Sequence, residues 1–241
     1  MSNLLFIDVE TSGLGDNAAV IEIAAIAYID GERKHHFQSY VKPHLGCTMD
    51  AKAFEINGIN PKQLDSFPLA KDVISSLLEY IDSFGCVFAV SGHNVSFDIK
   101  KIRNLFFRNM HYGSYITRFK PDGVCTFVMA KECFKGKRNK PEGNSLKKLC
   151  DYFNIVLENE HSALPDIDAT IKVYEELLKI HKKKEVKKTD VLKYQEMRRK
   201  YMDSKFVQFY EDDGIYISKE ALSDDIVRRF IFTEIDYIYE N

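Results

Sequence analysis

Apolar and polar positions follow a succession of readable periods along the first 180 residues. Leu4-Leu5-Phe6-Ile7 is an unbroken apolar run, as in a central strand covered on both faces. It ends in two acids, Asp8 and Glu10, which a period of two places on one face. Beyond Gly13 and Gly15, the Ile-, Val- and Ala-rich stretch Ala18 to Ile29, the Asp30-Gly31 turn and His35 to Val41 read as a hairpin joined to that strand. Met49 to Ile56 predicts a short helix and Asn57-Gly58 a turn, followed by a longer helix from Leu69 to Phe84 with Val73, Ile74, Leu77, Leu78 and Ile81 on its apolar side. A second buried strand, Val87 to Val90, is broken by Ser91-Gly92-His93-Asn94. Helical spacing then resumes from Phe97 to Phe107, so Asp98 falls in the first turns of a helix that follows a strand.

A basic, glycine-containing loop runs from Lys135 to Gly143, and Asn144 or Ser145 can start a helix carrying Leu146, Leu149, Cys150 and Phe153. A further helix begins near Leu164-Pro165 and extends to about Lys182, with Ile167, Ile171, Tyr174, Leu177 and Leu178 on its buried side. Asp166 lies in its first turn and His161 just ahead of it. Buried strands interleaved with helices predict an α/β fold. Past this helix the composition changes: all six prolines occur by residue 165, all five cysteines by 150, and Gly214 is the one glycine after 143. Residues 182–188 hold five lysines and one glutamate; a charged helix near Asp190 to Met202, mixed aromatic strand candidates and a helical stretch near Ser223 to Tyr239 are expected to follow. The predicted organisation is a domain over 1–182 and an ordered accessory region over 183–241.

Composition narrows the class. A chain of 241 residues can bury a large core without disulfide staples, and an apolar fraction of 45% with 29% charged residues excludes wholesale disorder. Thirty-four basic against 36 acidic side chains give a formal charge of -2, so any polyanion must be held locally. The five cysteines, scattered without CxxC pairs, predict free thiols in a reducing compartment. Early acids interrupt any leader-like run, and no uninterrupted apolar stretch approaches about 18 residues. The expectation is a soluble cytoplasmic protein, or a nuclear one if eukaryotic, with no membrane partner.

Asp8, Glu10, Asp98 and Asp166 all fall at element ends and can be placed at one rim of an α/β sheet. Crowded carboxylates repel when ionised, and hard cations such as Mg²⁺ or Mn²⁺ turn that repulsion into coordination. Two ions about 3.5–4 Å apart suit phosphodiester hydrolysis. Taken singly, each acid also has an ordinary reading as a turn acceptor, a solvated side chain or a helix-cap contributor, and His161 as a packed histidine.

The segments Phe6-Ile7-Asp8-Val9-Glu10-Thr11-Ser12-Gly13-Leu14, His93-Asn94-Val95-Ser96-Phe97-Asp98 and His161-Ser162-Ala163-Leu164-Pro165-Asp166 together resemble the DEDDh exonucleases over roughly residues 3–182. That family includes the proofreading epsilon subunit of bacterial DNA polymerase III and ribonuclease T. The resemblance implies a ribonuclease H-like fold, a mixed five-stranded sheet flanked by helices, and removal of nucleotides from 3′ ends as nucleoside 5′-monophosphates. It makes Asp8, Glu10, Asp98 and Asp166 the ligands of two Mg²⁺ or Mn²⁺ ions and His161 the general base. Asp168, two residues beyond the last acid, points elsewhere on a helix and reads as a surface residue.

By the same resemblance Thr11, Ser12, Gly13 and Leu14 form a lip against the terminal nucleotide, Asn57 and Ile59 sit beside its pocket, and His93 and Asn94 orient the Asp98 segment or approach substrate. Turn formation and packing are equally open to Asn57 and Ile59. Lys135, Lys137, Arg138 and Lys140 are candidates for phosphate contacts or for a solvated loop. A single-stranded or frayed DNA end in proofreading or end processing is the leading substrate, with RNA trimming as the alternative. A polymerase or other replication partner could dock on 183–241, where Phe206, Phe209, Tyr216, Phe230, Phe232, Tyr237 and Tyr239 otherwise pack the region. Monomer and homodimer both remain open.

Overall fold

Burial from both sides makes the leading apolar run the middle strand of a sheet. The computed structural model describes residues 3–120, 123–157, 162–181, 207–209 and 215–217. In it β1 (Leu4–Thr11) pairs antiparallel with β2 (Val20–Ile29), which pairs antiparallel with β3 (Glu32–Tyr40). On its other side β1 runs parallel to β4 (Phe88–Ser91), and β4 parallel to β5 (Phe119–Lys120), giving the order β3-β2-β1-β4-β5. The helices are α1 (Ala51–Asn57), α2 (Ala70–Asp82), α3 (Ser96–Arg108), α4 (Tyr112–Arg118), α5 (Thr126–Phe134), α6 (Leu146–Phe153) and α7 (Ala163–His181). This is the mixed five-stranded sheet flanked by helices that the motifs imply.

Alternation along β1 divides the core in two. Leu5, Ile7 and Val9 join Val73, Ile74 and Leu77 of α2 and Ile102, Leu105 and Phe106 of α3. Leu4 and Phe6 belong instead with Ala163, Ile167 and Ile171 of α7. Each such Leu, Ile or Phe, once buried, contributes roughly 1.5–3 kcal/mol, enough to lock the strand against a one-residue slip that would exchange the two faces. Asp8 and Glu10 continue the Leu4–Phe6 series and therefore emerge on the side covered by α7.

Several ends follow from local chemistry. Asp50 caps α1 by accepting a hydrogen bond from Lys52 N, and Gly58 closes that helix at φ 69°. Ser145 caps α6. Ala18 and Ala19 precede β2 instead of opening it, because Ala19 O accepts from Ser12 N (2.9 Å) and Ala18 is bridged to Thr48. No expectation covered α4, β5 and α5: a two-residue strand has no period to read. All five cysteines are free thiols, and no helix among the described residues is long and apolar enough to cross a membrane.

The chain divides into two units, residues 1–185 and 186–241. In the second, β6 (Val207–Phe209) and β7 (Ile215–Ile217) form an antiparallel pair within the aromatic stretch expected to hold strands. The helices expected over 190–202 and 223–239 lie outside the described residues, as do Phe206, Phe230, Phe232, Tyr237 and Tyr239.

Candidate active site

Three distant segments meet at the end of β1. Asp8 and Glu10 project from the strand toward α7, whose first turn carries Asp166; carboxylate oxygens of these three residues lie within 4.8 Å of one another. Ala163, fully buried, lets the start of α7 come close to the sheet. Asp98 arrives over the strand end from the first turn of α3, is fully buried, and its Oδ1 accepts a hydrogen bond from Val9 N at 3.2 Å. Its approach needs a glycine: a Cβ on Gly92 would lie 3.0 Å from Ile7 O and 3.1 Å from Val95 Cγ2. Asn94, at φ 58°, then turns the chain into α3. His161 lies outside the described residues, which resume at Ser162.

The cluster strains against its own charge. Burial, and then Asp98, Glu10, Asp166 and Glu22, push the Asp8 carboxyl well above the usual range. Burial and the neighbouring acids raise Glu10 to about 8. Burial raises Asp98 to about 7, against the lowering effect of the Val9 hydrogen bond. Half-buried oxygens with no cationic side chain among the causes of these shifts are a donor set suited to hard divalent cations, which take carboxylate ligands. Asp168, by contrast, points away: it pairs with Arg33 of β3 and with Lys172 one turn on.

Glu22 has no place in the motifs, yet it is buried directly opposite Glu10 in the β1–β2 register and accepts a hydrogen bond from Gln38 Nε2 at 2.7 Å. The available signal was a lone glutamate in the otherwise apolar Val20–Ile29 strand. Because it adds negative charge behind the cluster, Glu22→Gln is expected to raise the Mn²⁺ concentration for half-maximal activity on the order of tenfold while leaving the rate at saturating metal within about threefold. An unchanged metal titration would reduce Glu22 to a sheet-packing residue.

The lip separates exposed groups from structural ones. Leu14 is 82% exposed. Thr11 is buried with its hydroxyl donating to Gly13 O (2.7 Å), and a Cβ on Gly13 would come within 3.2 Å of Asp50 Cβ. Ser12 is taken up by the fold: its hydroxyl donates to Thr48 O (2.6 Å) and accepts from Ala19 N (2.9 Å), and its carbonyl accepts from Asp50 N. Asn57 braces the lip by donating to Thr11 O at 3.3 Å and accepting from Ile59 N. Ile59 is buried with Ile21, Phe54 and Leu64. His93 bonds Thr126 Oγ1 at 2.9 Å, and burial lowers its pKa to about 4, so it is neutral at pH 7. Lys135, Arg138 and Lys140 are exposed, and Lys137 lies over the Phe134 ring.

Comparison with known proteins agrees with this geometry. A family model, RNase_T, described as Exonuclease, matches residues 5–174. The DNA polymerase III subunit epsilon of Buchnera aphidicola is 30% identical over 183 residues, covering 70% of each protein. The PolC-type DNA polymerase III of Bacillus subtilis is 29% identical over 71% of this chain, which corresponds to 11% of that polymerase. Among solved structures, E. coli exonuclease I in a zinc-bound complex with single-stranded DNA superposes with a TM-score of 0.60 at 26% identity, over 75% of this chain and 41% of that one.

Proposed function

The chain belongs to this exonuclease family, and from that premise we propose that it is a 3′-to-5′ exonuclease that shortens single-stranded or frayed DNA ends and releases nucleoside 5′-monophosphates. The convergence of Asp8, Glu10 and Asp166 within 4.8 Å, with Asp98 bonded to Val9 N at the same strand end and its charge bearing on Asp8, carries the reading. Asp8, Glu10, Asp98 and Asp166 would hold two Mg²⁺ or Mn²⁺ ions; such ions polarise a phosphate and lower the pKa of a bound water. This chain's own part is to keep four acids at one strand end, exclude water behind them with the α7 core, and offer an imidazole at position 161 that accepts a proton near neutral pH. In this reading the exposed Leu14, on a lip braced by Asn57 and Ser12, meets the last nucleotide.

The exonuclease unit in this reading is residues 1–182, with 183–241 as an accessory region. Kinship with an epsilon subunit supports a replicative polymerase as its partner.

End-labelled single-stranded DNA and RNA, incubated with the full chain in Mg²⁺, Mn²⁺ or EDTA, test the proposal. Progressive shortening of DNA from the 3′ end that EDTA stops is the expected result. His161→Ala should lower the rate by about 10²–10⁴-fold with substrate affinity retained. Faster turnover of RNA would move the substrate to the other sugar, and binding without metal-dependent hydrolysis would overturn the enzyme reading.

A further inference from the structure

Behind the lip, on the α3 side of the sheet, lies a second concentration of charge of opposite sign. Lys101, one turn beyond Asp98, is 3% exposed, and its ammonium donates to the carbonyls of Gly15 (2.5 Å) and Ala18 (3.1 Å). Two of its three N–H donors are met by these carbonyls, and the ammonium also lies 5.4 Å from the centre of the Phe97 ring. Lys101 lines a cleft of about 450 Å³, its open mouth included, together with Lys42, His44, Arg108, Asp16 and Asn104.

The charges in this cleft are poorly balanced. Asp16, the one acid in the lining, is held by Lys100 at 2.6 Å. Lys42 reaches an exposed Asp65 at 3.2 Å. Arg108 meets the neutral Asn17 Oδ1 at 3.4 Å, and His44 Nε2 lies 3.3 Å from the same oxygen. Among the described residues no carboxylate makes a salt bridge with Lys101 or Arg108. Burial lowers the pKa of both His44 and Lys101; Asp16 works the other way on Lys101, and Arg108 lowers both.

We propose that this cleft is a phosphate-binding subsite, separate from the carboxylate cluster and connected to it through the lip that Lys101 holds. Lys101, Arg108, Lys42 and His44 line one cleft, and a phosphate held there would add negative charge where three cationic side chains share a lining with a single acid that Lys100 already engages. The phosphate belongs either to the strand being shortened or to a free monophosphate. The choice of nucleic acid as its source rests on the exonuclease reading; the anion site itself does not.

Calorimetric titration of the full chain in EDTA, where bare carboxylates repel phosphate, isolates the subsite from hydrolysis. The probes are inorganic phosphate, a deoxynucleoside 5′-monophosphate and a short single-stranded oligonucleotide. Arg108→Glu, at the end of α3, is expected to weaken binding at least tenfold, and Lys42→Gln about threefold; should the first fail to fold, the second decides. Loss seen with inorganic phosphate or the monophosphate identifies a free anion. Loss seen with the oligonucleotide alone, with a salt dependence reduced by about one ion, identifies the strand. Equal affinities of both variants and the wild type for all three probes, or a loss confined to a Lys135→Ala/Arg138→Ala/Lys140→Ala control, overturns the subsite. Retained phosphate binding without any metal-dependent hydrolysis would sink the exonuclease proposal and leave this one standing.

Discussion

Asp8→Asn is expected to abolish hydrolysis, on the order of 10³-fold or more, while making the metal-free protein more stable at pH 8. The two effects have one cause. Asp8 sits among Asp98, Glu10, Asp166 and Glu22, and burial with their charge holds its proton affinity well above the usual carboxylate range. At pH 8 the native state must keep this carboxyl protonated or tolerate an ionised group in a crowded acidic site, and the unfolded chain faces neither cost. The isosteric amide removes the penalty and, with it, the negative ligand. The gain should read as several degrees of melting temperature for a chain this size, and it shrinks toward pH 5 because protonation there is easy. Activity above a tenth of wild type at saturating Mn²⁺ would remove Asp8 from the metal site.

The second large effect is a pH profile that metal inverts. Glu10 is raised from 4.5 to about 8 and Asp98 from 3.8 to about 7. With folded pKa values above the unfolded ones, the native state binds more protons over this window, so their contribution is fully present below about pH 4 and is lost as pH rises toward 8. In EDTA the melting temperature should therefore fall by several degrees or more between pH 5 and 8. The Glu10→Gln/Asp98→Asn protein should show a markedly smaller decline, the part that remains being that of Asp8. Divalent metal binds only the deprotonated cluster, so Mn²⁺ should stabilise more at pH 8 than at pH 5, by about 2.7 kcal/mol at a concentration 100 times the dissociation constant. A wild-type profile in EDTA that is flat, or that matches the double variant, would show that the acids are not coupled as the geometry requires.

Much of the site can be read from local pattern. The run Leu4–Ile7 marks a central strand, the period of two places Asp8 and Glu10 together, and helical spacing after Val87–Val90 puts Asp98 in a first turn. Each inference spans a few residues, over which backbone periodicity is dictated by the chain itself. The substrate-side residues were less legible, because their motif positions say nothing about where hydrogen bonds go. Ser12 turns inward to Thr48 and Ala19, and Ile59 enters a core with Ile21, Phe54 and Leu64. Residues 108–134 escaped the pattern because α4 has seven residues with none fully buried, and β5 has two.

By itself, then, the sequence determined the class of fold, the acids that face one way along β1 and the kind of chemistry such acids serve, since these depend on periods and spacings within a segment. Tertiary structure decided that Asp166 reaches the same side of the sheet as Glu10, that Glu22 stands behind them from the neighbouring strand, and that Lys101 turns from a helix position into the floor of a cationic cleft. Those juxtapositions come from strand order and from the packing of α3 and α7 on opposite faces of β1, which set the distances between residues as far apart in sequence as Glu10 and Asp166.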